Sequence, residues 1–473
     1  MNEDEEFFDN EEEEDEMSEL ISKFENYVFK GEYTFFDSQD IIDLIEHYNG
    51  WMDKEMTAKA IEIGLEFFPN SPDILLKKAE FLAQQSYTLD ALKILNEIEP
   101  QMTHSYQYYL TKGDIYSQMG LSEQAINEYK KILSFNDFNK ELIYNIIGSE
   151  YLMQNQFEEA IYYLKKSADI NSINNPALYK IYFCYNELNK LEECIEYFQK
   201  VIDESPFNSD AWLYTAFCYY DLKDYQNALD TIEYALAINE GDLLIILKKS
   251  DILKELGRHQ EAIDLLKETL KKDINNNYLM NVLAETYNEM EEYQNAIHYF
   301  HKVLNNNPQD TRAWLGIAES YLNLHQDNEA IASIQQAINH CDNDPRVLLE
   351  ASKLYIQLEF YEDALVFLKQ LHERGFNKTE VLVWLSLALE KSGYASEAVN
   401  LLTDEIFQHQ NDDPQLQYCL AAILLLYQYR QEGLKLLEKA LQSDASLYPI
   451  IYAFNQYFED DLEIQELIQQ YNN

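Results

Sequence analysis

A small residue returns every 34 positions through nearly the whole chain. The series runs Thr57, Ala91, Ala125, Ala160, Cys194, Ala228, Ala262, Ala296, Ala330, Ala364, Ala398 and Gly433, with steps of 35 only into Ala160 and Gly433. A set of independent globular domains does not produce such a series. A fixed short period means one supersecondary unit stacked on copies of itself, each burying its apolar face against its neighbours. A length of 473 residues would otherwise suggest about three domains. The period replaces that expectation with one continuous array.

The unit is helical. Between Ser209 and Asp242, Trp212, Ala216 and Tyr219 share one helical face, and Ala228, Ile232 and Ala235 share another. Leu222 to Tyr225 supplies the turn, so the unit is an antiparallel helix pair whose small residues let the helices approach closely. The same slots recur in phase. The small slot of the first helix holds Ala79, Gly113, Gly148, Ala216, Ser250, Ala284, Ala318, Ser352, Ser386 and Ala421, with Tyr182 as the departure. Three residues on stands a bulky side chain, often tyrosine, as at Tyr116, Tyr151, Tyr185 and Tyr287. On the second helix a bulky residue follows the small one by four, as at Leu95, Tyr129, Leu164, Phe198 and Phe300. Gly120, Asn155, Asn189, Gly257 and Gly393 fall at the turns and predict a left-handed residue there. Pro69, Pro72, Pro100, Pro176, Pro206, Pro308, Pro345 and Pro414 lie near unit ends, where a helix is expected to stop.

These slots resemble the tetratricopeptide repeat family, whose 34-residue unit has a Trp–Leu–Gly–Tyr first helix followed by Ala, a bulky residue, another small residue and Pro. The resemblance covers roughly 38–446, twelve units, and implies an all-α fold: an α-solenoid wound as a right-handed superhelix of about twelve helix pairs with capping helices. The expected organisation is a disordered acidic tail over 1–16, a leading helix within 17–37, the tandem array over 38–446 and capping helices over 447–473.

Charge narrows the partners. The net charge is −50, and the first sixteen residues hold eleven acids and no base. The acidity is not confined to that run, since the rest of the chain still carries −39. Such a surface repels nucleic acid and anionic lipid and attracts basic partners. The acidic start is unlike a secretory signal, no apolar run is long enough to span a bilayer, and five cysteines without paired spacing fit a reducing cytoplasm.

Catalytic chemistry finds no room. The segments outside the repeats are too short for a catalytic domain, and the chain has no phosphate-cradling glycine loop, GxSxG or HExxH. His298 and His301 are three apart, but no third ligand is near in sequence, so solvated wall positions are the expectation. Cys184 and Cys218 share a slot in adjacent units and are expected as packed small side chains, not a redox couple. Phe7 and Phe8, inside the acidic run, have either the spacing of a short docking motif or no role beyond a solvated tail. No metal and no cofactor is expected.

The family resemblance implies that first helices line a concave wall where partners bind. The residue after each small slot should then face the groove, and from Glu46 to Glu319 this position is mostly acidic or aromatic. The predicted site is an aromatic patch of Tyr179, Phe183, Tyr214, Phe217 and Tyr220 beside an acidic stripe of Asp251, Glu255, Glu285, Glu289 and Glu319. It would take a basic protein or peptide segment with hydrophobic anchors. The alternative is that the acids follow the overall charge and the aromatics are interhelix packing. Family members that clamp acidic chaperone tails use Lys, Arg and Asn on this wall; the corresponding residues here are Ile42, Leu76, Leu110, Asn145, Tyr179, Leu213, Leu247, Asn281 and Leu315, with no Lys among them, so an acidic peptide suits this groove poorly. The function expected is a non-catalytic adaptor or scaffold, or else a regulatory subunit that positions a separate catalytic chain.

Overall fold

The structure, a computed structural model, describes residues 3–135, 138–173, 175–376, 378–408, 412–427 and 429–471, without side chains for 3–15 and 408. Among the described residues it holds 27 α-helices and no strand. Twelve antiparallel pairs run from Ser38–Gly50 with Lys54–Phe67 to Pro414–Leu426 with Arg430–Ser443, making the all-α solenoid that the period implies. A leading helix, Glu3–Lys30, includes the acidic run, and short helices Ile450–Phe454 and Leu462–Tyr471 follow the last pair. The expected acidic tail and the pair Phe7 and Phe8 fall almost wholly on side chains outside the described residues.

The helices begin and end where local chemistry says they should. Asn208 stands at the start of helix Ser209–Asp221 and accepts the Ala211 amide at 3.1 Å, and Asp224 caps Tyr225–Ile238 through the Asn227 amide at 3.3 Å. Asn155, Asn189, Gly120, Gly257 and Gly393 all have positive φ at the turns, as their types predict. The same conformation falls on Lys223, Glu291, His325 and Glu359 in other units, where sequence gives no such signal. Three prolines depart from the expectation of helix ends. Pro72, Pro345 and Pro414 occupy the first turn of a helix, where the missing N–H costs nothing. Pro100 lies inside Thr88–Met102, within its last turn.

The nine ladder alanines are completely buried. They sit where the two helices of a pair meet, and the first-helix small slot receives the bulky residue of the second. A Cβ built on Gly113 would lie 2.4 Å from the Tyr129 ring, and one on Gly148 would lie 2.6 Å from Leu164. Small-against-large meshing of this kind fills the interhelix space to crystal-like density.

Contacts divide the chain into two compact units, Met1–Ile245 and Ile246–Asn473. In the first, Phe24 of the leading helix is buried with Phe36, Ile41 and Leu44, which seats that helix on the first pair. In the second, one continuous core runs from Ala318 to Ile468, so the terminal short helices cover the last pair. No helix among the described residues is long and apolar enough to cross a membrane.

Candidate partner-binding site

The aromatic part of the site lies in the first unit and is built around a residue that breaks the repeat. Tyr182 occupies the first-helix slot that elsewhere holds Ala, Gly or Ser, on helix Ala177–Glu187. That helix buries Leu178, Ile181, Cys184 and Tyr185, and its bulky counterpart Phe198 is also fully buried. With the interhelix space filled, the Tyr182 ring turns towards the next unit. It stacks on Tyr214 with centroids 6.1 Å apart and planes 16° apart, and meets the edge of Phe217 at 5.5 Å. Its hydroxyl donates to Asp221. Tyr214 and Phe217 are 5.7 Å apart, and Tyr179 adds a ring 6.0 Å from Tyr214. Tyr179 remains 50% exposed, so the cluster has an open side. Burial pushes the Tyr214 hydroxyl up to about 12, and burial with the Asp221 acceptor holds Tyr182 well above the phenol range.

Of the five aromatic residues expected from sequence, the structure therefore gathers Tyr179, Tyr214 and Phe217. Phe183 points elsewhere, its ring 6.4 Å from Phe157 of the preceding unit. Tyr220 meets Tyr225 across the turn at 5.5 Å. The physical reason is phase: on a helix whose slot residue turns outward, the next residue, Phe183, points to the opposite neighbour.

The acids lie in the second unit, and several are already occupied. Lys254 pairs with Asp251 and Glu289, each at 3.2 Å. Burial alone would lower the Lys254 ammonium, but these two carboxylates outweigh it and hold its pKa above the usual value. Arg312 grips Glu285 with two bonds of 2.6 and 2.7 Å while lying 5.0 Å over the Tyr278 ring. Glu255 is the last residue of helix Leu243–Glu255. Glu319 reaches the surface yet is crowded; loss of solvent, then Glu285, raises its pKa despite a bond from Asn288 that acts the other way. Three of the five acids thus share two cations, so the stripe is only partly neutralised.

The same strip ties unit to unit elsewhere. In the first unit Lys77 reaches back to Glu46 at 2.8 Å and holds Glu80 at 3.0 Å. Thr111 donates to Glu80 at 3.2 Å, and Lys180 donates to Ser149 at 2.6 Å. In the second, Lys353 holds Glu350 at 2.7 Å and Glu380 at 2.6 Å. Sequence reading missed Tyr182 as a functional candidate and missed these cations. The signals were present: a broken slot in the first case, and Lys three residues from an acid at Lys77, Lys254 and Lys353 in the second. Cys184 and Cys218 are packed in one buried cluster, as expected, and Cys194 lies in it beside Cys218. Among the described residues no group of three or more His, Cys, Asp or Glu has metal-holding geometry.

Three models of the tetratricopeptide repeat family match the chain, over residues 106–139, 187–242 and 287–354. A 122-residue stretch is 28% identical to the anaphase-promoting complex subunit CDC16 of Saccharomyces cerevisiae, 24% of this chain and 14% of that protein. The chain thus spans only a small part of that relative's length. Among solved structures, yeast Tom70 is similar over 92% of this chain and 99% of its own, at 12% identity and a TM-score of 0.45. A tetratricopeptide repeat protein of Parabacteroides merdae is similar over 60% of this chain and 99% of its own, at 17% identity and a TM-score of 0.39.

Proposed function

The chain is a tetratricopeptide repeat protein, and from that premise we propose that it is a non-catalytic scaffold that binds a partner protein through the side chains of its first helices. The observation that carries this reading is the ordered cluster of Tyr179, Tyr182, Tyr214 and Phe217, open to solvent at Tyr179. Rings locked against one another have little conformational freedom left to lose, and rigid aromatic anchors dominate binding energy at protein interfaces. The partner offers an aliphatic or aromatic side chain to this cluster, with Lys or Arg beside it for Asp221. The acidic strip of the second unit contributes less, because Lys254 and Arg312 already satisfy Asp251, Glu285 and Glu289. Five buried free thiols suit a reducing cytoplasm, and the net charge disfavours nucleic acid.

A second reading is a subunit of a larger assembly that positions a separate catalytic chain. The 122-residue match to a subunit of the anaphase-promoting complex supports it. One experiment addresses both. Affinity purification of the full chain with quantitative mass spectrometry is compared with a Tyr179→Ser variant, which removes an exposed ring with little effect on the fold. Loss of a stoichiometric protein by about thirtyfold, the effect of one interface anchor worth roughly 2 kcal/mol, is expected. Equal recovery from both baits would refute the aromatic site, and the identity of the recovered chain, enzyme or not, separates the two readings.

A further inference from the structure

The second unit holds a cleft whose charge is opposite to that of the chain as a whole. It lies between helices His259–Lys272 and Tyr293–Asn306, with a volume of about 500 Å³. These are second helices of their pairs, so the cleft is not part of the strip described above. Lys267 and Lys271 stand on one wall, Lys302 on the other, and no carboxylate lines it. In a chain of 85 acids and 35 bases, that is unexpected. Elsewhere Lys77, Lys254 and Lys353 each hold two carboxylates. Lys271 and Lys302 are exposed and make no ion pair among the described residues. Lys267 lies 5.2 Å over the Tyr287 ring and Lys302 4.5 Å over Tyr299, contacts that position ammonium groups without neutralising them. The floor is apolar, with Leu270, Met280, Tyr299 and Ile274, the last 73% exposed.

We propose that this cleft binds a short acidic peptide segment of a partner protein, its carboxylates on Lys271 and Lys302 and one apolar side chain on the floor beside Ile274 and Met280. The occupant is short and local in its charge for a physical reason. A long polyanion would extend past the cleft into the field of a protein of net charge −50, whereas a few carboxylates within a screening length of about 8 Å meet only the lysines. The apolar floor favours a peptide over a bare anion, because it gives burial energy that an inorganic ion cannot use. This surface is independent of the aromatic site and of its partner.

The test uses the full chain and a fluorescein-labelled peptide, Asp-Glu-Glu-Phe-Glu-Asp, read by fluorescence anisotropy. The proposal expects saturable binding that weakens with salt. It also expects a loss of about tenfold or more in the double variant Lys271→Glu/Lys302→Glu, and an effect under about twofold for Lys435→Glu, an exposed and unpaired lysine far along the sequence in the same unit. Lys271→Gln/Lys302→Gln, checked by circular dichroism, serves if charge reversal disturbs the fold. The idea fails if the Asn/Gln analogue of the peptide binds as well, or if Lys435→Glu costs as much as the cleft variants. Inorganic phosphate or duplex DNA competing as effectively as the peptide would overturn the assignment to peptide.

Discussion

Gly113→Ala turns the small-slot argument into a number. Gly113 lies in helix Tyr106–Gln118, where alanine is the better helix former by about 1 kcal/mol. On propensity alone the change stabilises. The new Cβ, however, would lie 2.4, 2.7 and 2.9 Å from three atoms of the Tyr129 ring. That ring is buried, 1% exposed, and its hydroxyl donates to Asp114 at 2.7 Å, so it is held at its far end as well. Relief requires the ring to retreat by roughly 1 Å, which costs about 1–3 kcal/mol in overpacking. If the retreat breaks the bond to the Asp114 carboxylate, a further 1.5–3 kcal/mol or so is lost. With the bond lost, and after the propensity gain of about 1 kcal/mol, the net expectation is a destabilisation of about 1.5–5 kcal/mol. Because units of an array open locally, hydrogen exchange of residues 106–132 is the appropriate measure, with urea denaturation beside it. The double variant Gly113→Ala/Tyr129→Leu should recover the overpacking part of the loss but not the bond to Asp114, since Ala opposite Leu is what the chain already uses at Ala79 and Leu95 in one buried cluster. Unchanged or increased protection in Gly113→Ala, or no recovery in the double variant, would refute the meshing argument.

Two further outcomes follow from the charged strip. Glu319 has a raised pKa, so its charged form is disfavoured in the fold; stability from this site falls as pH rises through and above 4.5, and Glu319→Gln should be the more stable protein at pH 7 and lose that advantage when denaturation is repeated below pH 4.5. Lys254→Gln leaves Asp251 and Glu289 facing each other without a cation, and the second unit should lose about 1–2 kcal/mol in denaturant titration, less at high salt.

What was legible in the sequence followed from short-range rules. Helix pairing, the burial of Ala91 through Ala398 and the left-handed turns at Asn155, Asn189 and Gly393 depend on residues within one unit, and the repeat shows twelve variations of it. The family expectation that first helices carry the informative positions led to Tyr179, Tyr214 and Phe217, which do meet. What was not legible depends on separations that cross units. Arg312 finds Glu285 27 residues away, and Lys254 finds Glu289 35 away, so the stripe read as open acid is partly matched. Tyr182 was visible as a broken slot, but its direction depends on Phe198 already filling the space behind it. Phe183 went astray for the same reason.

The pairs that stitch one unit to the next also change what binding at that wall means. A ligand cation approaching Glu285 meets an anion whose bonds to Arg312 are short and bidentate. Association there is an exchange at Glu285, in which a ligand cation takes the place of Arg312 while that residue stays tethered nearby. Such an exchange gains little from charge alone and discriminates by shape, since only a guanidinium-like fork can match what it displaces. The displaced Arg312 would be freed from the unit before it, so each exchange would also untie one seam of the array.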